Sequence, residues 1–227
     1  RKTKSSGKTF EYLKALDRIK QFDVQKEMAT LSGRNRGQLK YQGQVIFLPY
    51  LSNQELAAEF DYIRDKTELV WDFSLDAPEN LKKQVFQILC YALENIKDSK
   101  DRRVRYLVPL KWLYEFCIEE GIEDIERLEL AQIQKLEAIV AGKVVNVKNS
   151  MQIVDNSRKI LFMSGQEIHW HANVWYLERF NFAPERINPS NPVYRFTFYE
   201  VLNLKNRELL QEYMRYQVGI GNLTINN

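Results

Sequence analysis

The clearest hydrophobic rhythm in this chain lies between Pro78 and Gly165. Leu81, Val85, Ile88, Leu89, Ala92, Leu93 and Ile96 recur at three- and four-residue steps and predict an amphipathic helix of about five turns. Ser99 reads as the cap of a second helix, which carries Val104, Leu107, Val108, Leu113, Phe116 and Cys117 and stops at Gly121. Pro109 inside it lacks an N–H, so a kink is expected there. A third helix holds Leu130, Ile133, Leu136, Ile139 and Val140 up to Gly142; a fourth holds Val147, Met151, Val154, Leu161 and Phe162 up to Gly165. Four helices joined by short connections favour a compact bundle, and residues 76–166 are expected to form a helical domain.

The flanks are less regular. Phe10, Leu13, Leu16 and Ile19 mark a short helix behind Thr9, residues 32–37 are a loop by composition, and the β-branched and aromatic run Gln44 to Leu51 predicts a strand whose end Pro49 makes an edge. Ser52 with Glu55 reads as a capping box for a helix through Leu56, Phe60 and Ile63 to about Lys66. Residues 1–75 are therefore expected to be a small mixed α/β extension. On the other side, His169, Trp170, His171, Trp175, Tyr176 and Phe180, followed by Pro184, Pro189 and Pro192, predict irregular aromatic packing; Asn203 to Gln217 is helical again. Residues 167–227 thus form a separate C-terminal segment. A faint internal echo links Asn80-Leu81-Lys82 to Asn203-Leu204-Lys205, each opening a helix, which would make the last helix the start of a further helical unit.

Composition agrees with a mainly α fold. In 227 residues, 44% hydrophobic content is enough for a core, whereas 9 Gly and 6 Pro are too few for the turns of many short strands. No run of 18 apolar residues and no basic-then-apolar leader is seen, and the two cysteines, Cys90 and Cys117, fall in helical apolar patterns. A cytoplasmic protein without membrane contact is the expectation. Because the chain opens on Arg1, it is expected to be processed or part of something longer.

Charge changes the picture more. The net charge of +3 conceals an arm, residues 1–40, with 11 Lys/Arg against 4 Asp/Glu, on a remainder with 22 against 26. Lys97, Lys100, Arg102, Arg103, Arg105 and Lys111 then crowd the N-terminal half of the second helix, against the sense of its dipole, while Glu115, Glu119 and Glu120 occupy the other half. Lys148, Gln152 and Lys159 fall on one polar face of the fourth helix, with Arg158 beside them. These are the residue types that hold phosphates and read base edges.

Catalytic patterns are missing. His169 and His171 have no third histidine and no cysteine pair to complete a zinc set, so no metal is expected there. The cysteines read as core, no phosphate-binding glycine loop occurs, and the acids Glu119, Glu120, Glu123 and Asp124 read as solubilising surface. No cofactor is expected.

The stretch 98–140 resembles the helical core-binding domain of tyrosine recombinases and phage-type integrases. The resemblance rests on a spine of Tyr106, Leu110, Leu113 and Phe116, a glycine stop, and a turn at Ile122, Asp124 and Ile125. Residues 173–217 resemble the long N-terminal regions of transposon-encoded integrases. The family resemblance implies a four-helix, SAM-like core-binding bundle that clamps duplex DNA, with self-association on DNA left open. It implies Lys100, Arg102, Arg103, Arg105, Lys111, Lys148, Gln152, Arg158 and Lys159 as DNA-binding residues. The family's catalytic half is not matched: Ala172 and Val174 stand where an H-x-x-R would need arginine, and none of the 12 tyrosines has an activating shell. The expected role is the DNA-binding N-terminal portion of a site-specific recombinase, positioning DNA for a tyrosine nucleophile encoded elsewhere. The rival expectation is a protein-interaction or scaffold module without DNA affinity. The first requires the arginines to form a free cationic flank, with Arg102, Arg103 and Arg105 replaceable by Glu without loss of fold; arginines scattered around the molecule or tied up with neighbouring acids make that reading fail.

Overall fold

A computed structural model describes residues 45–51, 53–63, 66–182 and 193–220. The expected helix around Phe10 to Ile19 and the loop at 32–37 lie outside them. The described chain is mainly helical, with two small antiparallel sheets, and none of its helices is long and apolar enough to cross a membrane. It divides into two compact units that join between Lys111 and Trp112.

In the first unit, β1 (Val45–Phe47) pairs antiparallel with β2 (Val70–Asp72), Ile46 opposite Trp71. Both strands are buried throughout, because two three-residue strands gain little from their ladder unless covered on both faces. Pro49 ends β1 in a 3₁₀ turn, Leu48–Tyr50, as its missing donor demands. Helix α1 (Gln54–Ala58) is much shorter than expected: its cap is Asn53, which accepts from the Leu56 N–H at 3.1 Å, and after Ala58 the bonds tighten to i→i−3, as in Phe60 N–H to Ala57 O. Strand β2 has no counterpart in the sequence expectation.

Helix α2 (Glu79–Asn95) buries Leu81, Val85, Ile88, Leu89, Ala92 and Leu93, the stripe that its spacing predicts. Asp98, not Ser99, caps the next helix, accepting from Asp101 N–H at 2.7 Å. This helix, α3, runs from 99 to 119 and opens into π geometry over Arg102–Leu107 before closing to α over Val108–Glu119. Val108 N–H reaches back to Arg103 O, five residues away, in the turn just ahead of Pro109. The irregularity expected from the proline is thus a widened π turn, which takes up the ring's conflict with the preceding carbonyls.

In the second unit α3 ends on Gly121, whose φ of 65° is left-handed. Gly121 N–H bonds Ile118 O and Ile122 N–H bonds Cys117 O, a Schellman stop. A 3₁₀ turn, Ile125–Arg127, leads into α4 (Leu130–Ala141), opened by the Glu129/Gln132 capping box. Helix α5 (Val147–Ser164), capped by Asn146, packs on α4 and on the strand β3 (Val174–Tyr176). The aromatic segment is more regular than expected: β3 pairs antiparallel with β4 (Arg195–Thr197), Trp175 opposite Phe196. Phe162, Ala172, Val174, Trp175, Tyr176 and Phe198 make its core. Helix α6 (Leu204–Gly219) begins at the cap Asn203.

Candidate nucleic-acid interface

The nine residues implied as DNA contacts divide between the units, and their environments differ sharply. In the first unit Arg102 is 5% exposed. Its Nε donates to Ile96 O at 2.9 Å, its Nη2 to Lys97 O at 3.4 Å, and its Nη1 to Glu59. Every arm of the guanidinium closes the α2–α3 turn onto α1, so Arg102 is a structural residue and not a phosphate contact. Arg103 donates from both Nε (3.0 Å) and Nη2 (2.7 Å) to Glu68 Oε2. Lys111 Nζ donates to Val70 O at 2.8 Å, anchoring β2. Arg105 lies 3.3 Å from Asp101 Oδ1, both half-exposed; such a pair is worth well under about 1 kcal/mol and is readily exchanged. Lys100 is exposed. The free arginine flank is therefore corrected: Arg102, Arg103 and Arg105 each face an acid, and the buried one cannot be reversed in charge without cost to the fold.

The second unit divides in the same way. Arg158 is 2% exposed, donates to Leu128 O at 2.6 Å and stacks 5.0 Å from the Tyr199 ring. Burial pulls its pKa down despite Asp155 nearby, and its role is packing, not DNA contact. On the neighbouring, solvent-facing side of α5, Lys148, Gln152, Asp155 and Lys159 are all exposed, at steps of four, three and four residues. They form one stripe along the helix. Lys159 donates to Glu178 Oε1 at 2.9 Å and Asp155 holds Arg195 at 3.1 Å, pairs that are about half solvated on both sides. The polar face read from the sequence is thus a real surface of the helix.

A second cluster was missed by sequence reasoning. Asp124 and Glu126, spaced two apart around the 3₁₀ turn, meet His169 from the loop before β3. His169 Nδ1 lies 3.0 Å from Glu126 Oε2 and its Nε2 lies 3.6 Å from Asp124 Oδ2. Glu126 is buried, and desolvation pushes its carboxyl above the ordinary glutamate range against the pull of His169; the bond to Glu126 raises the imidazole in turn, against the effect of burial. His171, by contrast, is exposed and outside the cluster. Only the loop packing unites residues this far apart; spacing along the chain carries no sign of it.

Comparison with models of known families, with characterised proteins and with solved structures finds no match to this chain.

Proposed function

We propose that this chain is a duplex-DNA-binding portion of a site-specific recombinase of the tyrosine type, whose strand-cleaving residues are not among these 227 positions. With the arginine flank of α3 tied to acids, the basis first expected for DNA binding is lost, and α5 supplies a separate ground. The observation that carries the reading is the exposed stripe on α5. Lys148 and Lys159 are about 16 Å apart along the helix axis, and Gln152 sits between them. That span brackets a major groove about 12 Å wide, so the lysines meet phosphates on either side while the amide faces base edges. Asp155 is held by Arg195, which offsets the one acid on the stripe. The resemblance of 98–140 to core-binding domains supports the reading: of its spine and turn, Leu110, Leu113, Phe116, Ile122 and Ile125 are core residues, while Tyr106 is only partly buried. A four-helix, SAM-like bundle belongs to the same proposal.

The test is fluorescence anisotropy of a labelled duplex between 50 and 200 mM NaCl. With about two phosphates neutralised by the stripe, affinity falls about tenfold across that range. No binding, or binding indifferent to salt, overturns the reading.

A protein-interaction module is the second reading, and α6 favours it. Its fully buried side chains are polar, Arg207 and Gln211, with Met214 against the aromatic core, whereas Leu209, Tyr213 and Tyr216 point outward, each more than half exposed. A sizing column that shows a stable dimer, together with no DNA affinity, would establish that reading instead.

A further inference from the structure

We infer that Asp124, Glu126 and His169 form a binding site for one divalent transition-metal ion, of which zinc fits best. Each residue offers one ligand atom, and these atoms lie within 4.8 Å of one another. Ligands held about 2.1 Å from a tetrahedral ion stand about 3.4 Å apart; because Glu126 faces Nδ1 and Asp124 faces Nε2, the ring or one carboxylate must turn for a single nitrogen and both acids to reach one ion.

The independent sign is Glu126 itself. It is 7% exposed, its side chain has no hydrogen-bond partner outside the trio among the described residues, and its Oε1 is buried with no partner at all among them. A buried carboxylate oxygen left without a donor is costly, and a cation held by the same carboxylate offsets that cost. The donor set selects the class of ion: an imidazole with two carboxylates suits zinc and its first-row neighbours, whereas magnesium and calcium prefer oxygen alone.

The scaffold is already rigid. Asp124 Oδ1 accepts from Glu126 N–H at 2.9 Å, leaving Oδ2 toward His169. Asn173 N–H donates to Glu126 O at 2.9 Å, locking the two loops together. His169 keeps a third of its side chain exposed, which provides the entry path and leaves a fourth ligand position for water. Arg127 and Arg158 are the nearby cations and temper the affinity that the two acids would otherwise give. Such an ion would staple the 125–127 turn to the loop before β3.

The experiment is calorimetric titration of the full, chelator-treated chain with zinc chloride, folding being followed by far-ultraviolet circular dichroism. One ion per chain is expected at micromolar affinity or tighter. His169→Gln and Asp124→Asn each weaken it by at least about tenfold, and His171→Gln leaves it unchanged. Asp124→Asn keeps the oxygen that caps the turn, so it decides the matter if His169→Gln fails to fold. Absence of zinc binding by the wild type overturns the site, as does binding that persists in a folded variant lacking a ligand.

Discussion

Arg207, in the first turn of α6, donates through Nη2 to Glu129 Oε2 at 2.8 Å, joining α6 to the residue that opens α4. The same guanidinium donates to Asn173 Oδ1 at 3.2 Å and to Val201 O at 3.0 Å, while Asn173 turns its amide to Arg127 O and Leu128 O. One buried arginine thus ties the turn after α3, the start of β3 and α6 into a single polar network. A network of this kind is favourable only while every member is satisfied.

Replacing Arg207 by Ala is therefore expected to cost about 2 kcal/mol in urea unfolding, because Glu129 and Asn173 lose their donor. The effect has a pH signature. Partial burial pushes the Glu129 carboxyl up, but the bonds from Arg207 and Asn173 outweigh it and hold it below the ordinary glutamate range. A lowered carboxyl contributes stability above its unfolded value, about 4.3, and loses it as pH falls through the folded one. The gap between wild type and Arg207→Ala should be constant from pH 7 to 5 and shrink below pH 4.

Gly121 gives a backbone prediction. An added Cβ would meet nothing within 4 Å, so the cost of Gly121→Ala comes from the left-handed φ of 65° alone. About 1 kcal/mol of destabilisation is expected, and less for Gly121→Asn, measured by thermal unfolding.

Charge reversal separates structural cations from DNA contacts. Arg102→Glu places a second carboxylate against Glu59 in a buried position and should cost about 3 kcal/mol or abolish folding. The double variant Lys148→Glu, Lys159→Glu changes two exposed side chains and gives up one half-solvated ion pair, Lys159 with Glu178, so its melting temperature should stay within about 4 °C of the wild type. Its duplex affinity should fall at least about tenfold in anisotropy titrations at 100 mM salt.

Thiol chemistry tests the core. Burial pushes the Cys117 thiol up to about 12, and burial with Glu94 nearby does the same for Cys90. Neither should react promptly with a disulfide reagent at pH 8 in the native protein, and both should react once it is unfolded in guanidinium.

Much of this architecture is legible from spacing. The buried stripe of α2, the glycine stop after α3 and the solvent face of α5 follow from a period of 3.6 residues, because a helix satisfies its backbone within its own segment and leaves only one face to be chosen. Strand β2 was illegible because three residues show no period, and its partner lies 25 or so positions away. The basic cluster of α3 misled for a related reason. Charge is a property of the residue, whereas availability is a property of what packs beside it, and Glu59 and Glu68 arrive from other elements.

By itself, then, the order of residues determined a mainly helical chain, the bounds of most of its helices and which of their positions turn inward, since local hydrogen bonds and burial of apolar stripes act within a few turns. Tertiary structure alone decided which arginines became anchors and that Asp124 and Glu126 met His169. Those outcomes depend on contacts between segments tens of residues apart, which no local pattern encodes.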